Sequence, residues 1–363
     1  MLEVVRFIKN NFFDWEEKLS DKPYYLRIKR KGDLIMFDYT QGASEPCEIV
    51  KECRGLILDG SDDADFSVVR YGFYRFYNYG ENGAAEIDGR SMSITEKVDG
   101  SLVMVYYYKG SWHISTRATF DAIDASIGES DITFDSIIRG AFAYQNIDIE
   151  TFDKDCTYVF EVVSPESRVI VKYDKPDIYF LMCRNNKTYE EIECDIKCKR
   201  PKTYNFNTLK EIEDYVSTFS GAEFEGVVVK DKYNNRVKIK NLNWMRLHYL
   251  YGNGRLAEKN ILDVWFSGEY DEYISYFPEH EDKFNKEFSK FWKLMYLSFL
   301  LDKLNLKSVM TKYQLVQLVN KTVKNGALQQ MLYKAYDGRA FEWFITMDMS
   351  WYLNYFEGMW MND

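Results

Sequence analysis

From Tyr24 to about Trp244 the chain is broken into short apolar runs closed by turn signals, and beyond that point the runs stop. The runs are Tyr24–Ile28, Leu34–Tyr39, Gly55–Leu58, Val68–Phe73, Leu102–Tyr108, Trp112–Thr116, Tyr158–Val163, Val169–Tyr173, Ile178–Met182, Gly226–Lys230 and Val237–Lys240. Lys31-Gly32, Asp59-Gly60, Lys109-Gly110 and Asn234-Asn235 punctuate them. Runs of this length read as strands, because β-branched and aromatic side chains suit a pleated surface and Gly or Asn tolerates the reversals between them. Helical spacing appears in residues 2–18, Ala122–Gln145 and Thr208–Phe219, and takes over after Trp244. Strands first and helices afterwards predict an α+β domain over residues 1–250 followed by an all-α domain over residues 251–363, with the boundary near Tyr251–Gly254.

Charge limits the partners. The 363 residues are 46% hydrophobic, enough for two cores, and carry a formal net charge of −10. Whole-surface attraction to nucleic acid is therefore excluded, and any basic surface must be local. Asp263–Asp282 holds seven acids and no Lys or Arg, whereas Lys283–Arg339 holds eleven Lys and Arg against three acids, a local net of +8. That bias reads either as solvated helix faces or as a nucleic-acid surface. The N-terminus has no signal-peptide pattern, and the most apolar stretch, Phe291–Leu301, is interrupted by Lys293 and too short to span a bilayer. A cytoplasmic protein without membrane contact is expected. Six cysteines form no disulfide framework, and Cys183, Cys194 and Cys198 lack the paired spacing of a zinc site.

Chemistry concentrates at Glu96-Lys97-Val98-Asp99-Gly100-Ser101. Lys97 and Asp99 fall on one face of extended backbone, and Gly100 permits a tight turn into the next strand. A lysine attacks phosphorus only as the neutral amine, so burial or neighbouring cations must lower its pKa. Alone, Lys-x-Asp-Gly reads as a surface β-turn. It is accompanied by Glu52-Cys-Arg-Gly55, Arg75-Phe-Tyr-Asn78, Tyr158-Val-Phe-Glu161, Glu225-Gly226 before an apolar strand, and Lys238-Ile-Lys240. Lys238 and Lys240 share a strand face, where they either hold a phosphate and depress Lys97 or decorate an exposed edge. Glu225, at the mouth of a buried strand, suits Mg²⁺, which takes few protein oxygens. Arg54 and Arg75 are candidates for phosphate contacts.

Together these segments resemble the covalent nucleotidyltransferase superfamily, and more closely the T-even phage type of RNA ligase. That subfamily shares the E-C-R-G, K-x-D-G-S-L-V and K-I-K elements and the F-E-x-V-S-P stretch at Phe160–Pro165. The resemblance implies a mixed or antiparallel-sheet adenylyltransferase domain over residues 1–250 and a helical RNA-specificity domain over residues 251–363. It implies Lys97 as nucleophile, with Tyr39, Arg54, Arg75, Phe76, Glu96, Asp99, Arg117, Glu161, Lys238 and Lys240 around ATP or its AMP, and Glu225 on Mg²⁺ or Mn²⁺. Phe76 reads equally as plain core, and Arg75 and Arg117 stand where the family often has lysine, which keeps the charge but changes its geometry. The implied substrate is RNA with 5′-phosphate and 3′-hydroxyl ends, nicked tRNA among them. A DNA ligase or capping enzyme would instead need an OB-fold after Lys240, where this chain turns helical. A catalytically silent RNA-end binder is the rival from another class.

Overall fold

Alternation decides which side of each sheet becomes core. The computed structural model describes residues 1–40, 42–43, 47–62, 65–125, 132–251, 258–266 and 270–347. Its strands in chain order are β1 Leu26–Lys31, β2 Leu34–Tyr39, β3 Arg54–Asp59, β4 Ser67–Arg70, β5 Tyr77–Asn78, β6 Ser93–Glu96 and β7 Ser101–Tyr108. They continue as β8 Ser111–Thr116, β9 Cys156–Val163, β10 Asp177–Asn185, β11 Glu191–Ile192, β12 Thr203–Tyr204, β13 Gly226–Lys230 and β14 Arg236–Lys240. Three sheets form, in the orders β1-β2-β3-β4, β11-β10-β9-β7-β8 and β12-β6-β13-β14-β5. All pairings are antiparallel except that of β14 with β5. The fold is thus mixed α+β, with a helical C-terminal region.

The first sheet packs Phe37, Leu56 and Leu58 on Val4, Val5 and Ile8 of the N-terminal helix Glu3–Asn10. In the second, Val103, Val105, Phe160 and Val162 pack with Ile137, Ile138 and Phe142 of the helix Phe134–Tyr144. In the third, Ile94, Val227, Val229, Val237 and Ile239 pack with Ile212 and Val216 of the helix Leu209–Val216. Because side chains alternate across a strand, Leu102 and Glu161 are left on the second sheet's other face, and Thr95, Val228, Lys238 and Lys240 on the third's.

Contacts divide the chain into units Met1–Arg246 and Leu247–Asp363. Part of the expected boundary, residues 252–254, lies outside the described residues, as do residues 126–131 of the expected helix Ala122–Gln145. The second unit contains the helices Glu258–Phe266, Tyr270–Tyr276, Glu281–Lys303, Lys312–Thr322, Gly326–Tyr336 and Ala340–Thr346, with no strand among its described residues. Leu262, Leu294, Met331 and Phe344 share its core. Among the described residues no helix is long and apolar enough to cross a membrane.

One local expectation is corrected. Val169–Tyr173 is not a strand. The backbone N–H groups of Ile170 and Val171 donate instead to Asp99 Oδ2, at 2.9 and 2.6 Å, so a carboxylate replaces the ladder. Gly100 stands in a bend directly before β7, and a Cβ there would lie 2.3 Å from the Val162 carbonyl oxygen, so the position also requires space.

Candidate functional site

Glu225 joins two lysines. Its Oε2 lies 2.7 Å from Lys97 Nζ and its Oε1 3.0 Å from Lys240 Nζ, with only 2% of the carboxylate side chain exposed. The backbone builds this approach. Gly226 opposite Lys240 has φ +142°, and a Cβ there would sit 2.2 Å from the Ile239 carbonyl oxygen. Lys97 N donates to the Gly226 carbonyl at 2.9 Å, which fixes the lysine at the end of β6.

Lys97 and Lys240 border a cavity of about 530 Å³ between the open faces of the second and third sheets. Tyr39, Arg54, Phe76, Glu96, Lys97, Arg117, Glu161, Lys238 and Lys240 all line it. Its wall carries eight Lys and Arg against three carboxylates, in a chain whose formal net charge is −10. Arg54 lies near the Phe73 and Phe76 rings, 5.9 Å from each centroid, and its Nη1 is buried with no hydrogen-bond partner among the described residues. A buried donor without an acceptor is costly, and a polyanion entering the cavity would satisfy it.

Electrostatics separate the three lysines. Burial pushes Lys97 down, but the Glu225 and Glu161 carboxylates outweigh it and hold its pKa above the ordinary value. Lys238 is pushed down to about 7, by burial first and then by Arg54, Lys240 and Lys97. Lys240 is also lowered, by burial ahead of its attraction to Glu225. Glu161 is pushed up to about 7, chiefly by burial, with Lys97 opposing. In this state the depressed amines are therefore Lys238 and Lys240 and not Lys97, on which the Glu225 and Glu161 carboxylates together outweigh burial.

Arg117 pairs with Asp38, its Nη2 3.1 Å from Oδ2, and its guanidinium carbon lies 5.0 Å from the centroid of the Tyr39 ring. Three expected residues do not line the cavity. Arg75 lies against Tyr39 and Tyr77, 4.2 and 4.8 Å from the ring centroids, and donates to the Ala43 carbonyl. Asp99 holds the loop at Ile170–Val171, and Glu225 sits behind the two lysines it pairs with. Glu96 lines the cavity, yet the groups around its carboxyl are Lys202, Lys199 and Tyr204.

Lys230, Arg236 and Arg200 also line the cavity and were not foreseen. Arg236 falls on the same alternation as Lys238 and Lys240, one residue before the expected strand Val237–Lys240, and Lys230 pairs with it across the hairpin. Arg200 lies outside the strands and helices, where no periodicity marks it. Among the described residues no group of three or more His, Cys, Asp or Glu could hold a metal ion.

Residues 52–246 match the family of RNA ligases. A chain of Autographa californica nuclear polyhedrosis virus, named for polynucleotide kinase and RNA ligase activities, is 30% identical over 302 residues, 77% of this chain and 42% of that one. The RNA ligase of Rhodothermus phage RM378 is 26% identical over 319 residues, 69% of this chain and 71% of that one. This chain therefore spans less than half the length of the baculovirus relative. An archaeal ATP-dependent RNA ligase of solved structure aligns at 12% identity and a TM-score of 0.44, covering 69% of this chain and 68% of that one, too distant to add weight.

Proposed function

The chain belongs to the RNA ligase family, of the phage T4 type, and on that premise we propose that it seals RNA ends through an AMP carried on Lys97. The neutral Lys97 amine attacks the α-phosphorus of ATP; the N–P bond forms as the P–O bond to pyrophosphate breaks. AMP then passes to an RNA 5′-phosphate, making a 5′–5′ pyrophosphate, and a 3′-hydroxyl displaces AMP to close the strand. Nicked tRNA is the substrate that the phage resemblance favours.

The observation that carries this reading is the cationic cavity around Lys97, with the unsatisfied Arg54 donor inside it. Lys238 and Lys240 present two ammonium groups from one strand face, suited to charge developing on the transferred phosphate. Glu161 accepts from a ribose hydroxyl. Attack requires that the Lys97–Glu225 pair be opened, since the paired amine is held protonated. Glu225 is the residue to hold a divalent cation, Mg²⁺ or Mn²⁺, whose chemistry when bound is to neutralise phosphate charge.

Incubation with α-labelled ATP and Mg²⁺, followed by a denaturing gel, tests the reading. Wild type takes the label covalently; Lys97→Ala does not, while still joining chemically pre-adenylated RNA in part. A wild-type chain that binds RNA ends but never takes label would establish the silent binder instead.

A further inference from the structure

Arg70, at the end of β4, is wholly buried, and among the described residues it forms no ion pair with a carboxylate. A buried guanidinium is tolerated only when its donors are satisfied, and here oxygens do that. Nε and Nη2 donate to the Gly55 carbonyl at 2.9 and 2.7 Å. Nη1 donates to Ser115 Oγ at 2.7 Å, the Thr116 carbonyl at 2.9 Å and the Thr119 carbonyl at 2.8 Å, and Nη2 also reaches the Arg117 carbonyl at 3.2 Å. Burial lowers its pKa to about 10, which leaves it charged at neutral pH.

The acceptors come from two segments that deliver cations to the cavity. Gly55 follows Arg54, and residues 115–119 carry Arg117. Gly55 itself has φ +74°, and a Cβ there would lie 2.6 Å from the Arg117 carbonyl oxygen, so the two segments meet with no room for a side chain. We propose that Arg70 is a positioning residue that draws the Gly55 and Ser115–Thr119 carbonyls onto one guanidinium and so aims Arg54 and Arg117 together at the phosphates of the bound nucleotide. The role rests on the phosphate-binding part of the reading above. A lysine keeps the charge but has three donors on a point charge, so it cannot hold both segments.

The test is a double-mutant cycle on binding of inorganic tripolyphosphate, measured by titration calorimetry on the full chain. Arg70→Lys and Arg117→Ala each weaken binding about tenfold, and the double variant loses well under the product, about tenfold to thirtyfold, because the first acts through the second. Losses that multiply to about a hundredfold, unchanged binding in Arg70→Lys, or wild type that does not bind tripolyphosphate each overturn the proposal. If Arg70→Lys does not fold, Ser115→Ala removes one acceptor without stranding a new charge. It then gives a twofold to threefold loss that disappears in the Arg117→Ala background, and a loss that persists there overturns the proposal. Labelling of wild type by α-labelled ATP is the separate arm. If it fails while the cycle couples, the lysyl-AMP reading falls and the positioning role stands.

Discussion

Lys97 Nζ and Glu225 Oε2 are 2.7 Å apart, so the amine proposed to attack as a free base is tied to the carboxylate proposed to hold a cation. The two demands on Glu225 compete, since one oxygen cannot serve an ammonium and a cation at full strength. Occupying Glu225 removes the largest of the attractions that keep Lys97 protonated, which leaves Glu161 against burial and lowers its pKa.

Replacing Glu225 by Gln should therefore make Lys97 more reactive toward a small amine-acylating reagent, even without nucleotide or metal. At pH 8 the expected gain is several-fold, because the carboxylate that favours the charged amine most is gone. It would be read as modification of the peptide containing Lys97 by mass spectrometry. The same variant should lose at least ~10²-fold in adenylation, because the charge arrangement around the phosphates is gone. Reactivity equal to wild type would show that Glu225 does not control this amine.

Lys238, held down to about 7, supplies a pH dependence whose sign is set. It is charged below about 7 and loses its charge above, so tripolyphosphate affinity should fall as pH rises from 6 to 8.5. The limit is about tenfold per pH unit above the midpoint, for one proton taken up with the ligand. Lys238→Arg, which stays charged, should flatten the profile. An unchanged profile in that variant would assign the dependence to another group.

Much of this site was legible because its chemistry sits on alternating strand positions. Lys238 and Lys240 could be placed on one face from spacing alone, and Arg236 belongs to the same series. Glu52 was legible only as a letter of a motif. Its carboxylate accepts the backbone N–H of Glu3 and Val4, both at 2.9 Å, and so caps the first helix from 49 and 48 residues away. No local pattern encodes a contact at that separation. The same holds for Asp99, whose partners at Ile170 and Val171 turned an apparent strand into a loop. Arg70 carries no motif at all, since its acceptors are mostly carbonyls, which every residue has.

The Glu52 cap has a thermodynamic signature. Burial pushes its pKa up to about 6, against the two N–H bonds that pull it down. The folded chain then binds a proton more tightly than the unfolded one. The stability from this group is full below the unfolded value near 4.5 and is lost as pH rises through about 6. The loss is about 2 kcal/mol by neutral pH. Glu52→Gln should lack that increment, so the wild-type minus variant difference in denaturant midpoint should change across pH 4.5 to 7. A difference flat in pH would remove Glu52 as the titrating group.

The C-terminal helices pose the remaining question, whether the +8 bias between Lys283 and Arg339 grips RNA or only solvates helix faces. The structure sorts those lysines. Lys290 pairs with Glu287, and Lys307 and Lys312 both pair with Asp337, so they are poor probes. Lys286, Lys293, Lys321 and Lys324 are exposed and are the residues to reverse. For each RNA phosphate that a lysine no longer neutralises, the slope of log affinity against log salt should shrink by about 0.7 for single-stranded RNA. Changing all four to Glu should therefore flatten the slope by up to about 3, while labelling by α-labelled ATP stays near wild type because Lys97 and its cavity lie in the first unit. If the lysines only offset the acidic run Asp263–Asp282, reversal leaves the slope unchanged. That result would end the idea of an RNA-gripping face on these helices.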